Sequence, residues 1–60
     1  MKYSEFRRFL LAKGAELLKA PGGGSHLKVR LDGRVSVFPF HGSKEMPEPL
    51  RKKIMKDLGL

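Results

Sequence analysis

Between residues 26 and 38 the chain alternates apolar and polar side chains with a period of two, the pattern of a β-hairpin with one buried side. Leu27, Val29 and Leu31 share one face of its first strand, while His26, Lys28 and Arg30 share the other. Asp32-Gly33 interrupts the run, after which Val35 and Val37 alternate with Arg34, Ser36 and Phe38. Parity then predicts the register. A two-residue Asp-Gly turn would set Leu31 against Arg34 and Val35 against Arg30, mixing the faces. A three-residue loop with Gly33 as its left-handed bulge residue keeps the valines with the leucines. It pairs Arg30 with Arg34, Val29 with Val35, Lys28 with Ser36, Leu27 with Val37 and His26 with Phe38. This second register is the expectation.

Upstream, Tyr3, Phe6, Phe9 and Leu10 recur at helical spacing and predict a helix over 4–13. Ser4 is placed to cap its start and Gly14 to end it. Residues 15–19 read as a short strand with Ala15 and Leu17 on one side of Glu16. Ala20-Pro21-Gly22-Gly23-Gly24-Ser25 can only be a loop, its glycines permissive of positive φ and their amides bare. Pro39 ends the third strand and 40–46 read as a polar loop. Pro47-Glu48-Pro49 introduces a second helix whose stripe is Leu50, Ile54 and Leu58, with Met55 beside it and Gly59 at its end. The order is α-β-β-β-α, an α+β domain in which two helices cover one face of a three-stranded antiparallel sheet. The other sheet face looks outward.

Sixty residues make one domain at most, too small to enclose a large substrate cavity. Thirteen Lys and Arg against six Asp and Glu leave a formal charge of +7, a field that attracts polyanions. There is no cysteine, hence no disulfide and no thiolate metal site, which favours a reducing compartment. No signal peptide or membrane span can be drawn, and a cytoplasmic protein is expected.

In the expected register the outward face carries His26, Lys28, Arg30, Arg34, Ser36 and Phe38 side by side. Cations at strand spacing suit successive phosphates, and Phe38 offers a ring to an unstacked base. Arg30 beside Arg34 repels unless an anion lies between them. The plainer alternative is a solvated strand face whose charges deter edge pairing. His26 is the residue best suited to move protons near neutral pH, and it follows a loop that lets a substrate backbone come close. A surface histidine without a role is the alternative. His41 lies beyond the strand end, where it either approaches His26 as an acid–base partner or stands alone in its loop. His26, His41 and Glu45 have an untypical spacing for a metal site, so no metal or other cofactor is expected. The basic second helix (Arg51, Lys52, Lys53, Lys56) is open to RNA, to an acidic partner, or simply to water.

The opening Met1-Lys2-Tyr3-Ser4-Glu5-Phe6-Arg7-Arg8-Phe9-Leu10 with Gly14, the stretch His26-Leu27-Lys28-Val29-Arg30, Gly33, Val37-Phe38-Pro39, His41, Glu45 and Glu48-Pro49-Leu50-Arg51-Lys52 to Leu60 are familiar in this order. Along nearly its whole length the chain resembles the HicA-like mRNA interferase toxins of bacterial type II toxin–antitoxin systems. That resemblance implies a fold like a double-stranded-RNA-binding domain and metal-independent cleavage of mRNA. It also implies a catalytic histidine in a Gly-Ser-x-His-like motif, which falls on His26. Here Gly23-Gly24-Ser25-His26 departs from it, with Gly24 where the family usually carries serine. The resemblance further implies that His26 acts as general base or general acid, with Lys28 and Arg30 neutralising the charge on the phosphorane. Together with the outward face read above, it makes Ser25, Lys28, Arg30, Arg34 and Phe38 the expected RNA contacts and His41 an auxiliary. Its implied partner is a HicB-like antitoxin that masks the His26 face in a hetero-oligomer. Two other functions fit the same residues: a module that grips RNA without cutting it, and an interaction protein whose basic helix docks an acidic partner.

Overall fold

The computed structural model describes residues 1–20 and 26–60. Helix α1 spans Tyr3–Ala12, with Tyr3, Phe6 and Leu10 buried and Phe9 half-buried. It starts one residue earlier than the sequence suggests, and Ser4 does not cap it. Instead the Glu5 carboxylate accepts the Lys2 backbone N–H at 2.7 Å, which holds the Glu5 carboxyl below the usual carboxylate range. The free N–H groups of Tyr3 and Ser4 donate to the carbonyls of Lys44 and Gly42 at 3.0 and 2.9 Å. A segment distant in the sequence, around Gly42 to Lys44, therefore satisfies the helix start. The expected polar loop is accordingly an anchored one, with Met46 buried, the Met46 N–H donating to the Met1 carbonyl at 2.9 Å, and Lys2 bridged to Glu45.

Strands β1 (Glu16–Lys19), β2 (His26–Leu31) and β3 (Arg34–Pro39) form an antiparallel sheet in the order β1-β2-β3. The β2–β3 register differs from the parity argument by one residue. Leu31 pairs with Arg34, Arg30 with Val35, Val29 with Ser36, Lys28 with Val37, Leu27 with Phe38 and His26 with Pro39. The connection is the two-residue Asp32-Gly33 turn, both residues at positive φ (51° and 79°). That is the left-handed pair a type I′ hairpin requires, and its twist matches that of the strands. Because the side-chain period is two, the shift turns every β3 residue over. Ser36 and Phe38 go into the core, and Val35 and Val37 go to the open face.

The core explains why this register prevails. Phe38 is fully buried and meets Phe6 edge-on at 5.8 Å between ring centroids. A buried phenylalanine removes more apolar area from water than a valine, and the edge-to-face ring contact adds to it. Helix α2 (Glu48–Leu58) closes the same side with Ile54 and Leu58 buried and Leu50 and Met55 packed against the cluster. Pro49 sits in its first turn, and the Gly59 and Leu60 N–H groups donate back to Lys56 and Met55 at 3.1 and 2.9 Å. This is a Schellman end. Both helices cover one sheet face, in the expected α-β-β-β-α order.

Candidate functional site

The face left open is built on β2. His26, Lys28 and Arg30 point outward because Leu27, Val29 and Leu31 point into the core. Their side chains follow one another at about 6.6 Å, twice the rise per strand residue. His26 and Arg30 are exposed, and Lys28 is half-buried. Lys28 has Leu18 as its partner on β1 and Val37 on β3, so its aliphatic stem lies between two aliphatic side chains and its ammonium reaches water. Arg30 has Glu16 on one side and Val35 on the other, and its guanidinium donates to the Glu16 carboxylate. His26 opens the strand opposite Pro39, and its carbonyl accepts the Ala20 N–H at 3.4 Å.

Three of the other residues singled out from the sequence lie elsewhere. Phe38 and Ser36 belong to the core, so Phe38 presents no ring on the open surface. Arg34 shares the helix side with Leu31, and its guanidinium lies against Gly59 at the end of α2, within 3.0 Å of where a β-carbon there would stand. The anticipated Arg30–Arg34 clash therefore does not arise. Ser25 lies outside the described residues. His41 is exposed at the same end of the sheet as His26, two residues past Pro39, with its ring edge-on to Tyr3 at 5.1 Å.

Sequence reasoning missed the Glu16–Arg30 pair and the aliphatic flanks Leu18, Val35 and Val37, which are 42%, 46% and 47% exposed. The alternation of Ala15, Glu16 and Leu17 already turns Glu16 outward; only the β1–β2 register says that it meets Arg30. Among the described residues no group of three His, Asp or Glu side chains converges as a metal site, no cavity opens on this face, and no helix is long and apolar enough to cross a membrane. What the arrangement offers is a shallow track with a proton-transfer group at one end and two cations in line with it. Such a row follows a polyanionic backbone.

The chain is similar to known proteins along its whole length. Residues 3–60 match the family described as HicA toxin of bacterial toxin-antitoxin. A probable mRNA interferase HicA of Pseudomonas fluorescens (strain Pf0-1) is 62% identical over 60 residues, covering 100% of this chain and 97% of the relative. A probable mRNA interferase toxin HicA of Escherichia coli (strain K12) is 52% identical over 60 residues, covering 100% and 98%. In the crystal structure of the E. coli HicAB toxin–antitoxin complex, one chain superposes with a TM-score of 0.84 at 50% identity, covering 97% of this chain and 96% of that one. With the family model spanning residues 3–60 and relatives more than half identical along the whole chain, the chain belongs to the HicA toxin family.

Proposed function

We propose that this protein is an endoribonuclease toxin that cuts mRNA laid along the open face of β2, with His26 as its proton-transfer group. The observation that carries this reading is the position of His26, exposed at the head of the strand whose outward row continues with Lys28 and Arg30. The close kinship with proteins named mRNA interferase HicA supports it.

The ribose itself supplies the nucleophile. The 2′-hydroxyl loses its proton, its oxygen bonds to the adjacent phosphorus, and the bond from phosphorus to the 5′-oxygen breaks as that oxygen takes up a proton. The products are a 2′,3′-cyclic phosphate and a 5′-hydroxyl. His26 serves either as the base for the first proton or as the acid for the second, worth about 10²–10⁴-fold. Lys28 and Arg30 stabilise the extra negative charge on the phosphorane. No step calls for a metal ion, so cleavage is expected to proceed in chelator. The substrate and the absence of a membrane-crossing helix among the described residues suit a site of action in the cytoplasm.

The kinship with the toxin of a HicAB complex supports a HicB-type antitoxin as the neutralising partner. It would act by covering His26, Lys28 and Arg30. The deciding experiment incubates wild type and His26→Ala with a purified mRNA in excess chelator. Wild type should produce cyclic-phosphate ends, and His26→Ala should still fold and bind RNA without cutting it. Persistent cleavage by His26→Ala would remove the assignment of His26. Products with 5′-phosphate ends would remove the proposed reaction.

A further inference from the structure

Glu16 is the one acidic side chain at an outward position of the three strands among the described residues. It stands on β1 directly across from Arg30, and its carboxylate accepts the guanidinium N–H. The other five acids sit away from this face. Glu5 holds the start of α1, Asp32 lies in the hairpin turn, Glu45 pairs with the N-terminus, Glu48 with Arg51, and Asp57 with Ser36 and Lys53. An exposed pair of this kind, with its side chains 56% and 52% accessible, contributes little to folding. Its cost falls on binding. A carboxylate beside the cation that is to meet a phosphate both occupies that cation and repels the incoming charge.

Resting on the proposed RNA-cleaving face, we infer that Glu16 is an electrostatic brake: it competes with the RNA phosphate for Arg30, so that engaging RNA displaces it. Glu16 sets the affinity for RNA in this scheme and takes no part in the chemistry. Val35, on the other flank of Arg30, has no charge to compete with, so exchange takes place on the β1 side. The brake acts on association with RNA and leaves the proton transfer at His26, two outward positions away, unaltered.

The test compares Glu16→Gln, Arg30→Gln and the double variant, each in a His26→Ala background that binds without cutting. The probe is a short single-stranded oligoribonucleotide titrated over a range of salt. Removing one negative charge about 5 Å from a phosphate should tighten binding roughly two- to fivefold at low salt. It should steepen the logarithmic salt dependence by at most about one unit. With His26 restored, Glu16→Gln should lower KM and leave the saturated cleavage rate unchanged. The gain should shrink when Arg30 is already glutamine, leaving only the direct repulsion between Glu16 and the phosphate. Unchanged or weaker binding by Glu16→Gln, or a gain that survives intact in the double variant, would overturn the inference. Arg30→Gln separates the two levels. If it leaves RNA affinity intact, the RNA-binding face itself is wrong; if it weakens binding while Glu16→Gln has no effect, only the brake is wrong.

Discussion

The Ser36 hydroxyl, buried in the sheet, donates to the Asp57 carboxylate on α2 at 2.9 Å, and the Lys53 ammonium donates to the same oxygen at 2.9 Å from the solvent side. This bond gives a buried polar group on β3 its partner and ties the second helix to the strand next to the open face. Ser36→Ala should cost about 1 kcal/mol. In a domain of this size that is a fall in Tm of about 4–8 °C, readable by thermal melting.

Acid should weaken the fold. The Lys53 ammonium first, and then the Ser36 hydroxyl, hold the Asp57 carboxyl below the ordinary aspartate value. Arg51 does the same for Glu48, and the Lys2 N–H for Glu5. Each carboxyl binds protons less readily folded than unfolded, so its contribution is complete above the ordinary carboxylate range and is lost as pH falls through the folded value. Urea melts from pH 6 downward should show a plateau and then declining stability below about pH 4. Asp57→Asn should flatten part of that decline.

The strand register is open to a direct contrast between neighbours. Phe38→Ala empties the centre of the core and should cost about 3–5 kcal/mol. Val37→Ala, at a position 47% exposed on the open face, should stay within about 0.5 kcal/mol. Equal losses in denaturant melts would mean that the register is wrong.

Gly59 ends α2 at φ 74°, and a β-carbon there would stand 3.0 Å from the Arg34 Nε. Gly59→Ala should cost about 1–2 kcal/mol, mostly from the left-handed backbone. Removing the Arg34 side chain in the same protein should restore little, because the contact can swing away and the backbone strain cannot. Thermal melts of the single and double variants read the difference.

Arginines on opposite sides of the sheet should behave differently toward RNA. Lys28→Ala should slow cleavage by about 10²-fold, as expected when a charge-stabilising donor is lost. Arg30→Gln should weaken RNA binding. Arg34→Gln, on the helix side by Gly59, should leave single-turnover cleavage unchanged. A loss for Arg34→Gln equal to that for Lys28→Ala would place the RNA elsewhere.

Both helices were legible from the spacing of Tyr3, Phe6 and Leu10 and of Leu50, Ile54 and Leu58, and their ends from Gly14 and Gly59. The outward row His26, Lys28 and Arg30 was legible too, because Leu27, Val29 and Leu31 leave β2 only one way to face. On β3, by contrast, Val35 and Val37 form one apolar set while Phe38 leads the other, and alternation alone cannot choose between them. The choice rests on contacts made across the fold. Phe6 takes Phe38, Asp57 on α2 accepts from Ser36, and Asp32-Gly33 adopts the left-handed turn that brings both inward. Glu16 meeting Arg30, and the carbonyls of Gly42 and Lys44 completing the start of α1, were likewise decided only in three dimensions. Periodicity determines which side of an element is apolar where only one side is; where both sides are eligible, register and long-range partners decide.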